Sequence, residues 1–173
     1  MIVMKNLIFT VIILLMVFTI SAQEIQKKSK KELKAGKKAQ QMQEIKALVE
    51  SKNFIFDVRN VNPMGARSIT PTTDYEVKIT NDSVYSYLPY FGVSHSAVYG
   101  GTESPMIFSK PFESIDMQVI KNGYLIKVAV KNGSDLLNFS FNISATGSTT
   151  LTVSSINRQA ISYYGEVLKE KGK

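Results

Sequence analysis

The chain has 173 residues, with 21 Lys and Arg against 14 Asp and Glu, and 44% of its residues are hydrophobic. That is about one domain of sequence, and its apolar content excludes a chain that is disordered throughout. The chain has no Cys, which excludes disulfides, thiolate nucleophiles, iron–sulfur clusters and Cys-based zinc sites, and its single His excludes metal sites built on several His. We therefore expect neither a metal nor a cofactor.

The first 22 residues have the pattern of a secretory signal peptide. Lys5 precedes an uncharged run of fourteen residues from Leu7 to Ile20, and Ser21-Ala22 follows it. The run is shorter than the roughly 20 residues of a membrane span. We predict cleavage after Ala22 and a periplasmic or secreted protein, with an uncleaved anchor as the alternative.

The excess positive charge lies just after this segment. Residues 23–52 contain nine Lys and four Glu, and seven of these lysines fall between Lys27 and Lys38. We predict a solvated Lys-rich tether over residues 23–38, with weak contact to an anionic surface as the alternative. Nucleic acid is not an expected partner, because no aromatic residues interleave the lysines.

A helical period follows the tether. Ala39, Met42, Ile45 and Val49 recur at helical spacing among good helix formers. We predict an amphipathic helix over residues 39–52 that starts as early as residue 30. The apolar stripe packs on the domain in one interpretation and binds a partner helix in the other.

Residues 53–168 have the period of two that is typical of strands, and residues 169–173 form a tail. Phe54, Phe56 and Val58 alternate with more polar residues, and short alternating runs recur up to Val167. Asn122-Gly123 and Asn132-Gly133 are strong hairpin signals. The sequence predicts an all-β fold with one N-terminal helix: an antiparallel meander of seven or eight strands that forms a small, lipocalin-like barrel or a barrel-like sandwich.

The segment from Val84 to Gly101 combines aromatic residues with Pro89, which interrupts a strand. Such a segment can line the mouth of a barrel or fill its end, and both interpretations stay open at this point. A ligand would bind the candidate residues Tyr85, Tyr87, Tyr90, Phe91, His95 and Tyr99.

Two further residues carry chemistry. His95 could act as a general base, but no acid lies nearby in the sequence and the chain has no Gly-x-Ser-x-Gly elbow. Arg158 is the seventh candidate ligand-binding residue, since it can bind a carboxylate or phosphate with two hydrogen bonds. It can equally pair with an acid across the end of the sheet.

The run from Tyr87 to Gly92, together with Arg158 and the segment from Ile161 to Gly165, resembles a family of exported bacterial proteins known as domain of unknown function 4251. The resemblance covers roughly Val49 to Val167. It implies a small β-rich domain of the cell envelope, and it brings no activity and no catalytic residue. Many members resemble lipoproteins, whereas this chain lacks the necessary Cys.

The sequence as a whole favours an exported, non-catalytic binding domain of the bacterial cell envelope that holds a small apolar or amphipathic ligand. The alternative is an envelope module that contacts another protein or the membrane surface. A hydrolase using His95 is the third interpretation.

Overall fold

The computed structural model describes residues 31–92 and 104–170. The predicted signal peptide, the first part of the Lys-rich tether, His95, Tyr99 and residues 171–173 lie outside these ranges. The described chain forms a helix α1 over residues 31–50, followed by nine strands. The strands are β1 (Phe54–Pro63), β2 (Glu76–Ile79), β3 (Ser83–Tyr87), β4 (Ile107–Pro111), β5 (Ser114–Ile120), β6 (Gly123–Asn132), β7 (Asp135–Ser144), β8 (Ser148–Ser154) and β9 (Ile161–Leu168).

The chain divides into two compact units, residues 1–40 and residues 41–173. The described part of the first unit, residues 31–40, is helical and exposed. Residues 31–38, part of the predicted Lys-rich tether, thus also belong to the helix, which the sequence predicted to start as early as residue 30. None of the helices in the described ranges is both long and apolar enough to span a membrane.

The nine strands form one antiparallel sheet in the order β4-β3-β2-β1-β9-β8-β7-β6-β5. Its two edge strands, β4 and β5, are consecutive in the chain and only two residues separate them. At this crossing the Phe112 amide donates to the Asp82 carbonyl (3.2 Å), and the Glu113 amide donates to the Ala129 carbonyl (2.8 Å). The sheet must curl for one short connection to reach both edges, and it forms a half-barrel.

The predicted fold class is confirmed, with one or two more strands than expected. The additional strand is β4, which comes five residues after the aromatic segment. Its side chains alternate only between exposed and half-buried, so it lacks the strong apolar alternation that marks a core strand.

Alternate residues of the long strands fill the concave side of the sheet. Phe54, Phe56 and Phe141 are fully buried, and both Phe54 and Phe56 meet Phe141 edge to face, at centroid distances of 5.8 and 6.0 Å. Phe139 and Tyr163 are buried beside them. Large aromatic side chains therefore occupy the interior of the half-barrel, as in small barrels whose interior is filled by their own side chains.

The hairpin turns are displaced by one residue from their predicted places. Ile120 pairs with Gly123, so the central turn residues are Lys121 and Asn122. Gly123 is needed in the strand itself, since a Cβ atom there would lie 2.0 Å from the Ile143 carbonyl oxygen. In the second hairpin Gly133 occupies the first central position with a φ of 66°, a conformation that glycine adopts without strain.

The second half of α1 packs on the half-barrel through fewer residues than its sequence stripe suggests. Ile45 and Val49 are buried in the core, whereas Met42 is exposed. The Ile45 side chain lies directly over Gly147, 2.8 Å from the place where a Cβ would stand. A glycine in the β7–β8 turn thus lets the helix approach the sheet closely.

Candidate functional site

Two of the predicted site residues lie on the outer side of the sheet. Along β3, Val84 and Ser86 are buried, while Tyr85 is 46% and Tyr87 is 44% exposed. The Tyr87 ring contacts the Tyr75 ring at a centroid distance of 5.4 Å, and the Lys78 Nζ lies 5.7 Å from the centre of the Tyr85 ring. We call Tyr75, Tyr85 and Tyr87 the tyrosine face. The Tyr85 and Tyr87 rings lie on the outer side of β3, whereas Tyr75 is partly buried against the core.

The segment after β3 is fixed to the end of the sheet. Leu88 is fully buried, and the Pro89 carbonyl accepts a hydrogen bond from the buried Tyr163 hydroxyl at 2.7 Å. The Tyr90 hydroxyl donates to the Gln159 carbonyl at 3.0 Å. In the described part of the segment only Phe91 is left with its ring largely exposed.

Arg158 forms an ion pair with Asp135 at the same end of the sheet. The Arg158 guanidinium donates to one oxygen of the Asp135 carboxylate, and the side-chain amide (Nδ2) of Asn157 donates to the other oxygen at 3.1 Å. Both members are shielded from solvent, with side-chain exposures of 13% for Arg158 and 6% for Asp135. This is the structural pairing that the sequence left open beside a ligand-binding role.

Burial changes the acidity of two hydroxyl groups at this end of the sheet. Loss of hydration raises the pKa of the Tyr163 hydroxyl far above its usual value, and the nearby Tyr90 adds to this. Burial also raises the pKa of Tyr90, and the Arg158 guanidinium partly offsets this increase. Both hydroxyls are therefore neutral hydrogen-bond donors at ordinary pH.

The five candidate residues that the structure describes do not converge on one pocket. Tyr90 and Arg158 come together around Asp135, whereas Tyr85 and Tyr87 lie on the outer side of β3. His95 and Tyr99 lie outside the described residues. In the described ranges no group of three or more Asp and Glu residues is placed to hold a metal ion.

A groove of about 600 Å³ lies between the second half of α1 and the end of β9. Its walls are apolar at Ile45, Leu48 and Val167, and its rim carries Glu166 and Lys169. We call it the helix groove. Its lining residues are Gln41, Glu44, Ile45, Ala47, Leu48, Ser51, Thr146, Gly147, Glu166, Val167, Leu168 and Lys169.

One end of the helix groove is fixed by a hydrogen bond from the Gln41 side-chain amide to the Thr146 carbonyl, at 2.8 Å. The sequence did not predict the helix groove, because the groove forms between two elements that are about a hundred residues apart in the chain. The only local signal was the small side chain of Ala47 on a helix that the sequence predicted to pack on the domain.

The comparisons with known proteins agree with this fold. A family described as Domain of unknown function (DUF4251) matches residues 36–167. The chain belongs to the DUF4251 family. A solved structure of a DUF4251 family protein from Bacteroides eggerthii is similar, with a TM-score of 0.54 and 14% sequence identity over 75% of this chain and 87% of that chain. No curated protein matches.

At 14% identity the solved structure supports the fold alone. The resemblance to the DUF4251 family that the sequence predicted is confirmed. The family description names no activity, so the site has to be interpreted from its own geometry.

We predict that Asp135→Asn destabilises the protein by about 3–5 kcal/mol, because it leaves the Arg158 cation buried without its counterion. Chemical denaturation measures the free energy of unfolding. The matched control is Asp57→Asn, which breaks the more exposed pair of Asp57 and Arg59 and should cost about 1 kcal/mol or less. Equal losses in the two variants would show that the Asp135 pair contributes no more than a surface pair.

The buried Tyr163 hydroxyl predicts a loss of stability in alkali. Its pKa is higher in the folded than in the unfolded chain, so the folded state holds the proton more tightly. The corresponding stability is complete below the unfolded pKa of about 10 and decreases as the pH rises above it. The free energy of unfolding, measured by denaturation at increasing pH, should decrease less steeply in alkali for Tyr163→Phe than for the native chain. Tyr164→Phe is the control and should behave like the native chain. The same decrease in Tyr163→Phe and in the native chain would contradict the assignment.

Proposed function

We propose that this protein is an exported, non-catalytic binding domain of the bacterial cell envelope, and that it holds a small amphipathic ligand in the helix groove. The observation that carries the proposal is the groove itself. Its volume of about 600 Å³ is within the range of small-molecule sites, and its apolar walls carry a few polar groups at the rim.

The groove is a better candidate than the interior of the half-barrel. The rings of Phe54, Phe56 and Phe139 all contact that of Phe141 in the described interior, and Tyr163 is buried there as well. A ligand there would have to displace close-packed aromatic side chains, and each of these is costly to move. The proposed ligand site therefore shifts from the aromatic segment to the helix groove.

The chemistry of the groove favours a ligand with an apolar body and a charged or polar end. Ile45, Leu48 and Val167 offer the apolar contacts. The lining carries the Lys169 cation together with the Glu44 and Glu166 carboxylates, so a head group that can both donate and accept hydrogen bonds would be placed there.

The location in the envelope rests on the sequence. The apolar segment from Leu7 to Ile20 supports export, and the family resemblance supports a place in the envelope. The exposed lysines of the first half of α1, Lys31, Lys34, Lys37 and Lys38, would support weak contact with an anionic surface.

Native mass spectrometry of the protein purified from its own compartment tests whether a ligand is bound. A constant additional mass that disappears on denaturation would support the proposal and give the size of the ligand. The proposal would be contradicted by two results together: a mass equal to that of the polypeptide alone, and no increase in the thermal stability of the protein when long-chain fatty acids or other amphiphiles are added.

We predict that Ala47→Trp abolishes the additional mass and any stabilisation by amphiphiles, because the indole would occupy the helix groove. The matched control is Gln43→Trp, which adds the same ring to an exposed position of the same helix that does not line the groove. Loss of the ligand in both variants would contradict the location and point to a general effect on α1.

A second candidate function is contact with another envelope protein through the tyrosine face. Two exposed rings side by side on β3, with Tyr75 packed against one and Lys78 beside the other, form an ordered aromatic surface. Tyrosines contribute large contact areas at low entropic cost, and aromatic residues are enriched in interfaces. This observation favours a protein partner over a purely structural role.

We predict that the double variant Tyr85→Ser and Tyr87→Ser loses the products that the native chain gives in crosslinking experiments in cells. Tyr164→Ser, equally exposed but on β9, is the matched control and should retain them. Identical crosslinking patterns for all three chains would remove the tyrosine face as a docking surface.

The third interpretation, a hydrolase, gains no support. Its candidate base, His95, lies outside the described residues, and the family description adds no activity. The described part of the chain presents hydrogen-bonded pairs that stabilise the fold, such as Arg158 with Asp135.

A further inference from the structure

The two edges of the sheet differ in how they are protected against pairing with another chain. β4 has five residues and includes Lys110 and Pro111, two residue types that protect edge strands. β5 has seven residues, SIDMQVI, with neither Lys nor Pro among them. It pairs with β6 in continuous register from Ser114 to Ile120 with no bulge. β5 is thus a long, regular edge that lacks the Lys and Pro of β4 and carries Asp116 as its one charged residue.

Among the described residues, the only strand that pairs with β5 is β6. In an antiparallel pair half of the backbone amides and carbonyls of an edge strand point away from its partner, and those of β5 are available for a further strand. Its side chains also favour such a contact. Ile115 and Met117 are half-buried against the core, whereas Val119, on the same side, is 81% exposed.

We propose that β5 pairs antiparallel with β5 of a second copy of this chain, with Met117 at the twofold axis. Met117 is the middle residue of the strand, so this register pairs all seven residues. It places Ile115 opposite the partner's Val119, which joins the two apolar sides and covers the exposed valine.

The charges select the same register. With Met117 on the axis, Asp116 lies opposite the partner's Gln118, and carboxylate and amide are complementary. Within one chain these two side chains already form a hydrogen bond at 2.9 Å. A register centred on Asp116 would place two carboxylates opposite each other, which is destabilising. A register centred on Gln118 would place the apolar Ile115 opposite the partner's Lys121.

The first test is the mass of the protein in solution, measured by light scattering after size-exclusion chromatography. We expect the native chain to have the mass of two copies and Val119→Lys the mass of one, because the lysine would place an uncompensated charge against the partner's Ile115. Since the Val119 side chain is largely exposed in a single copy, the variant should keep the far-UV circular dichroism spectrum of the folded native chain. Ile107→Lys, on the opposite edge β4, is the matched control and should remain dimeric.

The second test uses the absence of native Cys to determine the register. Directly opposite Cα atoms in an antiparallel pair are about 4.5–5.5 Å apart, a distance that a disulfide can bridge. Met117→Cys should therefore form a covalent dimer under mild oxidation. Gln118→Cys should not form one, because the two copies of residue 118 would be about 8 Å apart. They would be offset by the rise of two residues along the strand direction and by one strand spacing across it.

The proposal is supported if Val119→Lys dissociates the dimer and Met117→Cys links it covalently. In the two controls, Ile107→Lys should remain dimeric and Gln118→Cys should form no covalent dimer. A native chain that is monomeric at its highest soluble concentration overturns it. It is equally overturned by a dimer that Val119→Lys leaves intact, or by covalent dimers that form through Gln118→Cys and not through Met117→Cys.

Discussion

The crossing at Phe112 and Glu113 is the constraint on which the rest of the structure depends. Two residues carry the chain from one edge of a nine-stranded sheet to the other, and their amides bond to Asp82 near the first edge and to Ala129 near the second. A flat sheet of nine strands would hold these edges about eight strand spacings apart, roughly 38 Å. The short connection therefore requires the curl, and the curl encloses the phenylalanine core.

Enclosure of the core directs function to the outside of the half-barrel. Rings that meet edge to face around Phe141 occupy the described interior. The proposals rest on three described surfaces: the groove beside α1, the aromatic face on β3, and the β5 edge, which pairs only with β6 among the described strands. Each of them is compatible with binding, and each fits a different partner: an amphipathic ligand, another envelope protein, or a second copy of this chain.

The sequence predicted the parts of the fold that depend on local alternation. Strands such as β1 and β7, with Phe54, Phe56, Phe139 and Phe141 on one side, could be identified because burial on one side of a sheet imposes a period of two. β4 could not, because the apolar Ile107 is on its exposed side and the polar Lys110 on its half-buried side, so its residue types do not alternate with burial. The first turn was displaced because Gly123 is required in β6 by the Ile143 carbonyl of β7, and not by the turn. The helix groove depends on how closely α1 approaches Gly147, a tertiary distance that no local pattern encodes.

The motif that made the family recognisable acts mainly in the fold. Leu88 is buried in the core, the Pro89 carbonyl accepts the Tyr163 hydrogen bond, and Tyr90 is bonded to Gln159. Arg158, the other polar residue of the resemblance, is paired with Asp135. The Tyr163 and Tyr90 hydroxyls thus donate their protons within the fold, whereas the buried Arg158 Nε has no hydrogen-bond partner among the described residues. In this chain the motif therefore closes the end of the half-barrel. The proposed binding surfaces, the helix groove and the β5 edge, are built from residues outside the motif.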